Sequence, residues 1–298
     1  MQTLFRNYTK IAGITDDYFK VRSFLLNLGY SEFVYARWDW MATHGYLDKT
    51  AVGKIGLWEA EDEIVGVATF DTRLGIGYCL TQPDYRELKE EMLKYAEDHL
   101  STPDGFEVVI PDTDLRFQDI AMQAGYVSSE EKEADSVFYI DKTPLDYELP
   151  EGFRITTLED DFNLLQYRRV LWKGFNHELK GEGLFTFSSE DELSAKEEML
   201  RPNVDLDLKI AVVSPEENFV SYCGMWYDPA VEFALVEPVA TDPEYRGLGL
   251  GKAAVLEGVR RVGLRGAKMA LVGSSQQFYY SIGFRPFATS TNWKKKQP

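Results

Sequence analysis

The run Arg246-Gly247-Leu248-Gly249-Leu250-Gly251-Lys252 places three glycines at alternate positions between two cations. Glycine lets the backbone turn tightly and aim several N–H groups at one point, and a helix beginning there adds the positive end of its dipole. The chemistry this suits is the cradling of an anion such as a phosphate. Two familiar phosphate loops do not fit. A Walker A loop needs glycine at position 246 and Ser or Thr at 253, where the chain has Arg246 and Ala253. The dinucleotide fingerprint, begun at Gly247, needs glycine at 252, which is lysine.

The elements around the loop can be read from its flanks. A strand from Leu235 to Thr241 leads in, and a helix follows with Val255, Val259 and Val262 on one face and Gly263 or Gly266 as its stop. Ala267 to Val272 is a second strand, Gly273-Ser274-Ser275 a turn and cap, and Gln276 to Ile282 a short helix closed by Gly283. That helix carries Phe278-Tyr279-Tyr280. Pro238 cannot donate to a ladder, so Glu237-Pro238 marks an edge or bulge.

The chain repeats itself. Pro83-Asp84-Tyr85-Arg86 recurs as Pro243-Glu244-Tyr245-Arg246, each copy preceded by two strand-like runs and followed by a helix-like segment, a β-like run and Gly125-Tyr126 or Gly283-Phe284. Matched order on both sides predicts tandem copies of one α/β unit. The Pro144 to Gly152 stretch, with two prolines and a glycine, sets the expected domains at 1–145 and 146–298.

The order strand, Arg-Gly-Leu-Gly-Leu-Gly, helix, strand and Phe278 to Phe284 resembles the GNAT superfamily of acyl-CoA-dependent N-acetyltransferases, with the first half a degenerate copy as in tandem-GNAT proteins. The resemblance implies an α/β (α+β) fold of two tandem GNAT-like domains, each a mixed, mostly antiparallel twisted sheet flanked by helices. It implies acetyl-CoA as co-substrate with no metal, and direct transfer of the acetyl group to a primary amine without a covalent enzyme intermediate. The family pattern falls on Arg246, Gly249 and Gly251, so the amides of Gly247, Leu248, Gly249, Leu250, Gly251 and Lys252 would hold the pyrophosphate. The strand at Val239, Ala240 and Thr241 would pair with the pantetheine arm. Tyr279 takes the position of the acid that protonates the departing thiolate, with Tyr280 second. Ser274 stands in a turn where the family often has asparagine.

A phenol of ordinary pKa about 10 is protonated at pH 7 and able to donate to a thiolate, while an amine with pKa near 10 must lose a proton before attack. The resemblance gives the second task to Glu237, nine residues before Arg246, with Glu232 in reserve. In the first copy Arg86 is followed by Glu87-Leu88-Lys89-Glu90-Glu91, and Ala121 replaces the tyrosine. That half is expected not to catalyse. A non-catalytic acyl-CoA-binding or regulatory module is the alternative reading.

The 298 residues are 44% apolar and 27% charged, the composition of a globular chain. The net charge of −17 argues against nucleic acid or an anionic membrane as partner. Residues 1–150 hold 14 Lys+Arg against 28 Asp+Glu, and 151–298 hold 18 against 21, so a polyanionic ligand belongs with the second half. The acidic half would attract a small-molecule or peptide amine that is itself cationic; oligomeric state is left open. No apolar run spans a bilayer and the N-terminus lacks a signal-peptide pattern, which predicts a cytoplasmic protein. His44, His99 and His177 lack metal-ligand spacing, Trp38-Asp39-Trp40-Met41 reads as half-buried core, and Ser189 to Glu192 as the start of a helix.

Overall fold

Two stretches of chain form separate compact units in the computed structural model, which describes residues 3–295: residues up to Asp135 together with Phe287 onward, and Ser136–Pro286. In chain order the elements are β1 (Leu4–Asn7), α1 (Asp16–Leu28), α2 (Tyr35–Thr43), β2 (Gly56–Ala60), β3 (Glu63–Phe70), β4 (Ile76–Thr81), α3 (Lys89–Leu100), β5 (Glu107–Pro111), α4 (Leu115–Gln123) and β6 (Tyr126–Tyr139). Then come β7 (Arg154–Thr157), α5 (Leu164–Gly174), α6 (Ser189–Met199), β8 (Lys209–Val213), β9 (Phe219–Trp226), β10 (Phe233–Thr241), α7 (Leu250–Leu264), β11 (Met269–Val272), α8 (Gln277–Ser281) and β12 (Arg285–Lys295).

Both units follow one plan. In the first, β1 to β4 form an antiparallel meander, β5 lies parallel to β4, and β12 pairs antiparallel with β5 from Ser290↔Pro111 to Lys294↔Glu107. In the second, β7 to β10 form the meander, β11 lies parallel to β10, and the end of β6 pairs antiparallel with β11 from Ser136↔Val272 to Tyr139↔Met269. Each unit therefore takes its sixth strand from the segment that follows the other's fifth. The repeat, the mixed and mostly antiparallel sheets and the flanking helices agree with the fold expected from the sequence.

The sheet of the second unit is covered on both faces, which explains why β8 and β9 are buried at every position. Val255, Val259 and Val262 of α7 pack on one face against Ile210, Val212 and Met225, and Tyr167, Val170 and Leu171 of α5 pack on the other against Ala211 and Tyr222. Gly263 stays inside α7, and Gly266 takes the left-handed conformation after it. α6 begins with a reciprocal cap between Ser188 and Asp191, matching the expected helix start.

The boundary expected after residue 145 does not coincide with the division of the compact units. The stretch read as a linker is a strap: Leu145, Tyr147, Leu149 and Phe153 pack on the core of the second unit, and the Tyr147 hydroxyl donates to Glu257 at 2.9 Å. Alternating apolar residues hold it there despite its prolines. The Trp38–Met41 segment also differs from expectation, because α2 buries both tryptophans and Met41 and carries Asp39 inward, where Arg22 and the Tyr18 hydroxyl donate to it.

Candidate active site

The site begins with a defect in β10. Leu235 and Val236 face Trp226 and Met225 of β9, but the next paired residue is Val239, opposite Cys223, so Glu237 and Pro238 together oppose the single Gly224. This is the bulge expected from Pro238, and the Trp226 indole N–H closes it by donating to the Glu237 carbonyl at 2.9 Å. On the other edge, pairing with β11 stops at Leu235↔Leu271. From Val236 onward that edge of β10 has no strand beside it within the sheet.

The cradle stands at the end of this edge. Asp242 caps a short turn at Pro243–Tyr245, the chain passes through Gly247 (φ 82°) and Gly249 (φ 79°), and α7 starts at Leu250. Left-handed backbone at Gly249 is open to glycine at little cost and explains its presence. No side chain caps α7, so its first amides have neither an intrahelical acceptor nor a capping oxygen. Such an end accepts an anion. Arg246 fixes the loop: its guanidinium donates to the carbonyls of Thr241 (3.1 Å) and Gly174 (2.8 Å) and to Asn176 Oδ1 (2.8 Å).

These pieces line one cavity of about 770 Å³. Of the residues singled out from the sequence it gathers Val239, Ala240, Thr241, Arg246, Gly247, Gly249, Leu250, Gly251, Lys252 and Tyr279. Leu248 points to solvent and is outside it, as is Ser274, whose carbonyl accepts from Ser136 Oγ at 2.6 Å and whose hydroxyl accepts from Gln276 N. Gln276, Phe278, Ser281 and Ile282 of the α8 region contribute instead, with Gly174, Phe175 and Asn176 from the end of α5. The α5 residues carry no motif. The seating of Gly174 against Ala240 and Thr241, which leaves no room for a Cβ, and the bonds that Arg246 makes to Gly174 and Asn176 tie them to the site.

Tyr279 lies at the floor, 7% exposed, with its ring edge-on to Phe278 and Phe284. Burial pushes its phenol well above the ordinary range, and the charges of Cys223 and Glu237 push the same way. The hydroxyl therefore stays protonated. Full transfer of that proton to a thiolate, whose conjugate acid is near about 8.5, runs uphill, so the group acts by donating a hydrogen bond to charge developing on sulfur. Tyr280 does not line the cavity. Glu237 is not a lining residue either, but its carboxylate is near enough for its charge to act on Tyr279. Glu232, the reserve candidate, precedes β10 at the end away from the cradle, where its carbonyl accepts from Lys268 and Met269, and it does not line the cavity.

Residues 172–284, which hold the bulge, the cradle and Tyr279, match the acetyltransferase (GNAT) family. This stretch is a GNAT-family domain. No curated sequence matches the chain. Among solved structures it is similar to a GCN5-related N-acetyltransferase from Sphaerobacter thermophilus (18% identity, 99% of this chain and 96% of that one, TM-score 0.59) and to a tandem GNAT protein from the clavulanic acid biosynthesis pathway (12%, 98% of both, TM-score 0.60). A GNAT-family acetyltransferase from Colwellia psychrerythraea aligns over 98% of this chain and 100% of its own, at 10% identity and TM-score 0.60. The chain thus has the tandem GNAT fold, and the family implies acyl transfer from an acyl-CoA. Among the described residues no helix is long and apolar enough to cross a membrane, and no group of three or more His, Cys, Asp or Glu is placed to hold a metal ion.

Proposed function

We propose that the second unit transfers the acetyl group of acetyl-CoA directly to the primary amine of a small molecule or peptide. The observation that carries this reading is the convergence of three features on one cavity: an uncapped glycine-rich helix start, an unpaired strand edge and a buried, protonated tyrosine. The amides of residues 247–252 would take the pyrophosphate, and Val239 to Thr241 would pair with the pantetheine arm, which brings the thioester toward Tyr279.

The acceptor nitrogen, deprotonated through Glu237 or a water next to it, attacks the thioester carbonyl. The C–S bond breaks as the amide forms, and the sulfur leaves with its charge stabilised by the Tyr279 hydroxyl. Two protons leave the nitrogen: the ammonium proton taken up by Glu237 or its water passes to solvent, and the one shed as the amide forms balances the thiol. The test is release of free CoA from acetyl-CoA in the presence of a panel of primary amines. Turnover with at least one amine supports the reading. Tight acetyl-CoA binding with no turnover on any of them favours a non-catalytic acyl-CoA-binding module.

A further inference from the structure

The first unit has a cavity of its own, about 400 Å³, at the end of β4 and the start of α3. This is the position in the repeat that the acyl-transfer cavity occupies at the end of β10 and the start of α7. Its floor is different. In place of a glycine loop the chain runs as two short helical turns over Pro83–Leu88, kinked at Tyr85, and then directly into α3, with Leu88 itself in helical conformation. The helix start is thereby continuous with the turn before it, and what faces the cavity is a cluster of charged side chains.

Lys89 is turned inward, its side chain 8% exposed. Its ammonium donates to the Cys79 carbonyl and lies 4.4 Å over the Phe117 ring. It stands 3.9 Å from Glu32 Oε1 and 3.9 Å from Asp114 Oδ2, facing both carboxylates and hydrogen-bonding neither. The Glu32 side chain is 6% exposed, and its Oε1 has no hydrogen-bond partner. Two carboxyl groups face a single ammonium there, and burial, which pushes the Glu32 carboxyl above the usual carboxylate range, leaves its charged form in need of a further cation. A buried acceptor without a donor is costly, and a fitting ligand would satisfy it. The group that answers both needs is a primary ammonium. Arg86, exposed to solvent and lining the same cavity, is suited to an anionic group on the same molecule.

We propose that this cavity binds a small zwitterion of the amino-acid class, its ammonium on Glu32 and Asp114 and its carboxylate on Arg86. The volume lies in the range of small-ligand sites. The two floor carboxylates disfavour a phosphate-rich ligand by like charge, so the site differs from the acyl-CoA cradle in the class of molecule it takes. The inference rests on the first unit alone and does not depend on acyl transfer by the second.

The test is isothermal titration of the full chain with each of the common free amino acids at millimolar concentration. At least one should bind with one site per chain. Glu32→Gln and Arg86→Ala should each weaken that binding roughly 10-fold or more, the size expected for a lost charge-assisted contact. Gly249→Asp, in the other unit, should leave it unchanged. Arg86 is on the surface, so its variant keeps the test valid if Glu32→Gln fails to fold. Absence of binding by every amino acid overturns the proposal. So does binding that survives both substitutions in the first unit, or that disappears in Gly249→Asp.

Discussion

Gly224 on β9 faces the Glu237 carbonyl across the bulge of β10 so closely that a Cβ at position 224 would stand 2.4 Å from that oxygen. The bulge and the glycine are therefore one device. It keeps Val236 and Val239, three residues apart, packed on the same core, and it separates that buried stretch from the strand end that lines the cavity.

Gly224→Ala forces β9 away from the bulge. A loss of about 1–3 kcal/mol is expected, the usual cost of overpacking a filled core, together with a raised KM for acyl-CoA. A shift of the urea midpoint at constant slope measures the first effect, and steady-state kinetics the second. An unchanged midpoint would mean that the bulge yields freely and does not depend on the glycine.

Gly249 separates conformation from charge. Beyond its own chain neighbours nothing lies within 4 Å of a Cβ built there, so Gly249→Ala meets only the left-handed backbone, at a cost of about 1–2 kcal/mol. Gly249→Asp adds a negative charge at the uncapped helix start, where like charge opposes a pyrophosphate. Titration with CoA should show weakened binding for alanine and none for aspartate, with far-UV circular dichroism unchanged in both. Wild-type affinity in a folded aspartate variant would show that the loop serves packing alone.

Tyr279→Phe keeps the ring between Phe278 and Phe284 and removes only the hydroxyl. Turnover should fall by about 10²-fold, the scale of a positioned proton donor, while the affinity for acetyl-CoA changes little. Tyr280→Phe should change neither. Equal turnover in Tyr279→Phe and wild type would remove the donor role.

The pH profile tests the same group from another side. A phenol donates only while protonated, and burial raises its pKa, so the donor persists to higher pH than an exposed tyrosine would allow. The rate should climb as the acceptor amine deprotonates and show no fall due to Tyr279 up to at least pH about 10. A falling limb present in wild type below that pH and missing from Tyr279→Phe would contradict the burial seen here.

The parts of the site that the sequence made legible are those in which local geometry is written locally. Alternate glycines between Arg246 and Lys252 announce a turn and a helix start, Pro238 announces a broken ladder, and valines at helical spacing announce the face of α7. Gly174, Phe175 and Asn176 gave no such signal, because their place in the cavity comes from the packing of α5 on β10, a contact some 65 residues distant in the chain. Ser274 and Leu248 were adjacent to the right residues in sequence yet turn away from the cavity. The stretch after residue 145 behaves in a related way. Prolines mark where a helix or strand cannot run, and an extended strap with Tyr147 and Phe153 half-buried against a core satisfies them as well as a linker does.

The exchange of sixth strands sets an order of assembly during synthesis. Ser136–Pro286 contains every strand of the second unit's sheet, so that sheet is complete once residue 286 has left the ribosome. The first unit, although translated earlier, still lacks the edge that pairs with β5 and must wait for residues 290–294. The half that appears first is thus the half finished last, and a chain cut after residue 286 would keep every residue that lines the second unit's cavity while the first unit's sheet lacked one strand.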